Sequence, residues 1–149
     1  MIHEVDGDLL NDDYEIFCHQ VNCQDVMGGG LAKQVKVRYP EVYNTYHERV
    51  PKYLGGVDWI HTHDARICVN MYAQDYYGYG ARYTDYMAFA NCLSELEDYL
   101  CSVPKEYRVA FPYRIGCGLG GGDWNVISAL LIDFSSHIKQ DVYIVRKDD

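Results

Sequence analysis

Two glycine clusters carry the clearest chemical signal in this chain of 149 residues: Gly28-Gly29-Gly30 and Gly116-Cys117-Gly118-Leu119-Gly120-Gly121-Gly122. Each follows a strand-like apolar run, Glu15 to Val21 in one case and Arg108 to Pro112 in the other, and each leads into a helix-like segment. Without a Cβ, glycine lets the backbone come close to a ligand. A helix start adds unpaired N–H groups and the positive end of the helix dipole. Two such corners describe a clamp for a diphosphate held by backbone amides.

Other phosphate and nucleotide chemistries fail on spacing. The chain has no G-x-x-x-x-G-K-[ST] motif, and Gly116-Cys117-Gly118 falls short of a dinucleotide fingerprint and has no ribose-binding acid on a following strand. Cys117 opens a loop like that of a cysteine phosphatase, but Asp123 stands six residues on, where that chemistry needs an arginine. There is no C-x-x-C pair, and His61 and His63 offer two ligands without a nearby third. Neither a metal nor another cofactor is expected.

Composition narrows the partners. A net charge of −9, with thirteen scattered Lys and Arg, argues against binding a nucleic-acid duplex, which needs a basic face. Any phosphate must then be held mainly by amides. No apolar run approaches the ~20 residues of a membrane span, and no signal-peptide pattern is visible, so no membrane partner is expected. Several of the six cysteines fall inside apolar strand or helix patterns, where reduced Cys acts as a small hydrophobe. A reducing cytoplasm is the expected location. No long apolar stripe is left over after the core helices, so a monomer is expected.

The elements that must position these groups follow from periodicity. Strands are predicted over Ile2–Val5, Glu15–Val21, Val57–His61, Arg66–Tyr72, Arg108–Phe111 and Asp141–Val145. Helices are predicted over Gly30–Tyr39, stopped by Pro40, over Val42–Arg49, from Thr84 onward, and over Asp123–His137. The third shows an apolar stripe of Tyr86, Phe89, Ala90, Leu93, Leu96 and Leu100. Thr84 and Asp123 are the N-cap candidates. Strands mostly alternate with helices, giving one α/β domain over 1–149: a three-layer α/β/α sandwich with a central mixed sheet. In such folds ligands bind beyond the carboxyl ends of strands, where both glycine clusters lie.

The run from Cys18 to Ala32, taken with Phe111 to Leu119, resembles the macrodomain family, whose members bind ADP-ribose. Gly7-Asp8-Leu9, Tyr39-Pro40, Val69 to Gln74 and Asp123-Trp124 extend the resemblance over nearly the whole chain. It implies that Asp8 accepts a hydrogen bond from the adenine amino group, with the Leu9 amide on a ring nitrogen; the residues alone allow a simple turn. Asn22 is implied as a ligand of the distal ribose, against an Asx turn. Gly28, Gly29, Gly30 and Leu31, with Ile115, Gly116, Cys117, Gly118, Leu119 and Gly120, would wrap the diphosphate. Each charge-assisted N–H contact contributes about 1.5–3 kcal/mol.

One branch of the family opens the ribose with a lysine, aided by an aspartate after Gly-Cys-Gly-Leu; this chain has Gly120 there and no lysine in Tyr72-Ala73-Gln74. It looks more like small single-domain members that remove phosphate from ADP-ribose 1″-phosphate, some of which carry a histidine where His19 stands. His19 and Asn22 are therefore the catalytic candidates. Strand alternation equally allows His19 to face the core. Removal of ADP-ribose from acidic side chains or another acyl-type linkage, and non-catalytic reading of ADP-ribosylated partners, are the alternatives.

Overall fold

The two glycine clusters lie beyond the carboxyl ends of neighbouring strands in the middle of a six-stranded sheet. The computed structural model describes residues 1–147. In chain order the elements among them are β1 (Ile2–Asp6), β2 (Ile16–Asn22), α1 (Gly30–Arg38), α2 (Pro40–Glu48), β3 (Val57–His61), β4 (Ile67–Gln74), α3 (Tyr86–Leu100), β5 (Val109–Pro112), α4 (Trp124–Ser136) and β6 (Val142–Arg146). The sheet order is β1-β6-β5-β2-β4-β3, parallel throughout except for the β3–β4 hairpin.

Side-chain alternation on β2 and β4 builds the layers. Ile16, Cys18, Val69 and Met71 share a core with Phe89, Leu93 and Leu96 of α3 and with Ile127 and Leu131 of α4. Phe17, Val21, Cys68 and Tyr72 share the opposite core with Val35 of α1 and Val42 and Tyr46 of α2. Both strands are covered on two faces, which explains their nearly continuous apolar runs. The expected three-layer sandwich is what forms.

Two local expectations need correction. The second helix begins at Pro40, not Val42. Proline has no N–H to lose at a first helical position and its φ is preset, so the residue that stops α1 also starts α2. The cap of α3 is Asp85, whose side chain accepts the Ala88 N–H; Thr84 is not the cap. Thr84 instead forms an isolated bridge with Gln74 and donates its hydroxyl to the Gly116 carbonyl at 2.6 Å. Asp123 does cap α4, accepting the Asn125 N–H at 2.9 Å.

Candidate functional site

The cleft arises from topology. β2 pairs with β5 only at Ile16–Val109 and Phe17–Ala110. Beyond that the two strands part, β2 running into α1 on one face of the sheet and β5 toward α4 on the other. This divergence is the usual place for a ligand crevice in an open α/β sheet. It holds a cavity of about 540 Å³. Of the predicted residues, His19, Asn22, Gly28, Gly29, Gly30, Leu31, Ile115, Gly116, Gly118, Leu119 and Gly120 all border it.

The two glycine loops contribute in different ways. Gly29 caps α1 with extended backbone and no side-chain acceptor, and the first turn of α1 carries no acid. The Gly30, Leu31 and Ala32 amides therefore reach the cleft unclaimed, since Lys33 supplies the first N–H to close on Gly29. At the second corner the start of α4 is already occupied by the Asp123 carboxylate. What the second corner offers is a run of free loop amides at Gly118, Leu119 and Gly120, while Gly121 and Gly122 donate back to Gly118 and Gly116. An anion in this cleft meets one helix start and one loop nest, which together form an anion site without a cationic patch.

The second loop is glycine-rich for an internal reason as well. Gln20 donates to Gln74 Oε1 at 2.7 Å and to Thr84 Oγ1 at 2.8 Å, forming a polar peg beneath the loop. A Cβ on Gly120 would stand 2.5 Å from Thr84 Oγ1 and 2.8 Å from the Gly116 carbonyl oxygen. Space above Gly118 is open, with no atom within 4 Å of a Cβ built there. Gly120 is thus required by loop packing, whereas Gly118 has open space above it.

Asn22 is the staple of the loop before Gly28. Its Oδ1 accepts from the Gln24 and Val26 amides and from the Tyr46 hydroxyl, and its Nδ2 donates to the Val26 carbonyl. One N–H remains for a ligand. The Tyr46 hydroxyl shares its one proton between Asn22 Oδ1 and the Asn22 carbonyl oxygen, 2.8 and 2.9 Å away. The Asx turn and a place in the cleft therefore coexist in this residue.

His19 is 1% exposed and faces the α1–α2 layer. Its Nε2 lies 2.6 Å from Asn70 Oδ1, and its Nδ1 is buried without a partner. Burial pushes its pKa down to about 4, against weaker opposing effects of the Asn70 hydrogen bond and the Asp58 charge, so the ring is neutral at pH 7. The native imidazole refuses a proton that the unfolded chain binds near pH 6.5. Its contribution to stability is complete above about 6.5 and is lost as pH falls toward 4.

Asp8, Leu9 and Cys117 lie outside the main cleft. Asp8 borders a second groove of about 350 Å³ with Lys33, Gln34, Arg38 and Lys147. Its carboxylate accepts from the Leu10 and Asn11 amides and the Asn11 side chain and pairs with Lys147 at 3.2 Å. Although burial opposes it, this set of donors holds the carboxyl below its ordinary pKa. Leu9 is buried, with its carbonyl accepting from Arg66 Nη2. Cys117 turns its thiol to the Ile115 carbonyl, and burial raises its pKa, the opposite of what a nucleophile needs.

Further residues shape the site and its surroundings. Tyr77 and Tyr79, 43% and 84% exposed, stand at the rim of the cleft. Tyr113 forms part of the wall, edge-on to Trp124 at 5.2 Å and covered by the Arg146 guanidinium at 4.2 Å. Tyr143 stacks on His3 within the sheet. Gln20 could have been suspected as a polar residue inside an apolar strand. Among the described residues, no three His, Cys, Asp or Glu side chains converge as a metal site, and no helix is long and apolar enough to cross a membrane.

No family model matches the chain. It is 28% identical over 131 residues to an uncharacterized 17.5 kDa protein of Enterobacteria phage T4, covering 81% of this chain and 80% of that one. It is 39% identical over 64 residues to an ADP-ribose 1″-phosphate phosphatase of Aspergillus oryzae, a match covering 42% of this chain and 32% of the fungal protein. Among solved structures, the macrodomain of Mycobacterium tuberculosis DarG superposes with a TM-score of 0.84 at 25% identity, covering 100% of this chain and 99% of that one.

Proposed function

Because this chain is a macrodomain, we propose that its cleft binds ADP-ribose and that the protein hydrolyses an ADP-ribose derivative at the distal ribose, releasing phosphate from ADP-ribose 1″-phosphate. The observation that carries this reading is the pair of amide rows, Gly30 to Ala32 and Gly118 to Gly120, that border one cleft. They match a diphosphate, whose charge they neutralise through N–H dipoles; at about 1.5–3 kcal/mol per contact, several such bonds suffice without lysine or arginine. The fungal phosphatase to which the chain is 39% identical over 64 residues supports the substrate class.

The remaining roles follow the cleft. Asn22 offers its free N–H to a distal-ribose hydroxyl. The adenine end lies toward the second groove, reached along α1 from Leu31 and Ala32 to Lys33 and Gln34. There the adenine amino group exchanges with Lys147 on the Asp8 carboxylate, and the Leu9 amide takes a ring nitrogen. His19 acts at the cleft floor on the water or leaving oxygen as a neutral imidazole. With Gln74 at the end of β4, a lysine adduct on the ribose finds no amine there. The six free cysteines suit a reducing cytoplasm.

A second reading rests on Tyr77 and Tyr79. Their exposure at the rim leaves room for an acceptor larger than phosphate, which favours release of ADP-ribose from an acidic side chain. The test is hydrolysis of both substrates at equal concentration. We expect inorganic phosphate from ADP-ribose 1″-phosphate at a rate well above the ADP-ribose released from an ADP-ribosyl-glutamate peptide. The reverse order moves the assignment to the second reading, and no turnover of either makes the protein a reader.

A further inference from the structure

A buried polar relay crosses the α1–α2 face of the sheet. Arg49 Nη1 donates to Asp58 Oδ1 at 2.6 Å, Tyr72 OH donates to Asp58 Oδ2 at 2.5 Å, and Asn70 Nδ2 donates to the same oxygen at 3.1 Å. Asn70 then presents Oδ1 to His19 Nε2 at 2.6 Å. Asp58, Asn70 and His19 are 7%, 0% and 1% exposed. Burying such groups is costly unless every one is paired.

The relay has a direction. Asp58 is an acceptor, so the Asn70 amide must turn its NH₂ toward it, which leaves only the carbonyl oxygen for His19. The His19 proton is therefore on Nε2 and the lone pair on Nδ1. The two ring nitrogens point away from each other. His19 as a residue borders the cleft, while its Nδ1 is buried in the free protein. Nδ1 is also the one His19 polar atom left without a partner.

We propose that Asp58 and Asn70 are positioning residues that lock His19 in the Nε2–H tautomer, so that Nδ1, buried and unpartnered in the free protein, becomes the acceptor for a hydroxyl or water when binding of ADP-ribose uncovers it. This rests on the ADP-ribose reading for the identity of the ligand, but the tautomer is a property of the free protein. The lock makes Nδ1 of His19 an acceptor, and a proton donor only after it has taken one up.

The experiment is a long-range ¹H–¹⁵N correlation spectrum of the histidine rings at pH 7, with and without ADP-ribose, and calorimetry on the same sample. For His19 we expect an Nε2-protonated ring with a bare Nδ1 whose resonance shifts on saturation with ADP-ribose. The Asn70→Leu variant is expected to lose the single tautomer and at least tenfold in kcat, with ADP-ribose affinity changed less than threefold. An Nδ1–H tautomer or an imidazolium in the free wild-type protein overturns the proposal, whether or not the variant folds. So does a bare Nδ1 that stays unmoved while calorimetry shows the ligand bound. Failure of ADP-ribose to bind strikes the functional reading alone, and the free-protein spectrum then decides the lock.

Discussion

Replacing Arg66 with alanine is expected to destabilise the protein by about 3 kcal/mol, lowering Tm by roughly 6–12 °C for a chain of this size. Arg66 is 7% exposed, and its guanidinium fork reaches the loop after β1. It donates to the carbonyls of Leu9, Leu10 and Tyr14 and to the Tyr39 hydroxyl, which in turn donates to Asp64. It also lies over the Phe17 ring at 4.2 Å. Truncation leaves three carbonyls without their donor, each costing about 1–3 kcal/mol, offset in part by relief from burying the charge. Arg66→Lys keeps the charge but not the planar fork, and an intermediate loss is expected. Thermal and urea unfolding of the three proteins provides the check. A loss under about 1 kcal/mol for the alanine variant would mean that the 8–14 loop is held by Asp8 and not by Arg66.

The second large effect is kinetic. His19→Ala is expected to lower kcat for phosphate release from ADP-ribose 1″-phosphate by about 10²–10⁴-fold, the usual scale for losing a positioned acid–base group. Affinity for ADP-ribose should change less than threefold, because the diphosphate amides do not depend on the imidazole. The variant also leaves Asn70 Oδ1 unpaired, so a stability loss of about 1–3 kcal/mol accompanies it. Assays therefore belong well below its Tm. Unchanged turnover in a folded variant removes His19 from the chemistry.

Much of the architecture was legible because the chain separates its signals cleanly. β2 and β4 are buried on both faces and read as apolar runs, while α3 shows its stripe through Phe89, Leu93, Leu96 and Leu100. The glycine clusters fall at strand ends because the sheet turns there. What stayed hidden depends on contacts between distant residues. Thr84 and Asp85 are adjacent, and both have a capping oxygen. Thr84 is drawn instead to the Gly116 carbonyl, thirty-two residues away, which no local pattern announces. The His19–Asn70 pair spans fifty-one residues. The two readings of Asn22 could not be separated by sequence because one side chain serves the turn and still keeps an N–H free. Gly120 and Gly118 look alike in the sequence and differ only in what lies above them.

The central claim is that free amides at two glycine corners hold the diphosphate of ADP-ribose. Calorimetric titration of wild type and Gly118→Val with ADP-ribose, with AMP and ADP as controls, tests it most directly. The valine side chain enters open space and leaves the loop packing intact, so fold is preserved while ligand approach is blocked. The account predicts micromolar binding to wild type that needs the distal ribose, weakened at least tenfold in the variant, or about 1.4 kcal/mol. Equal affinity in both proteins, or no binding to either, would contradict it.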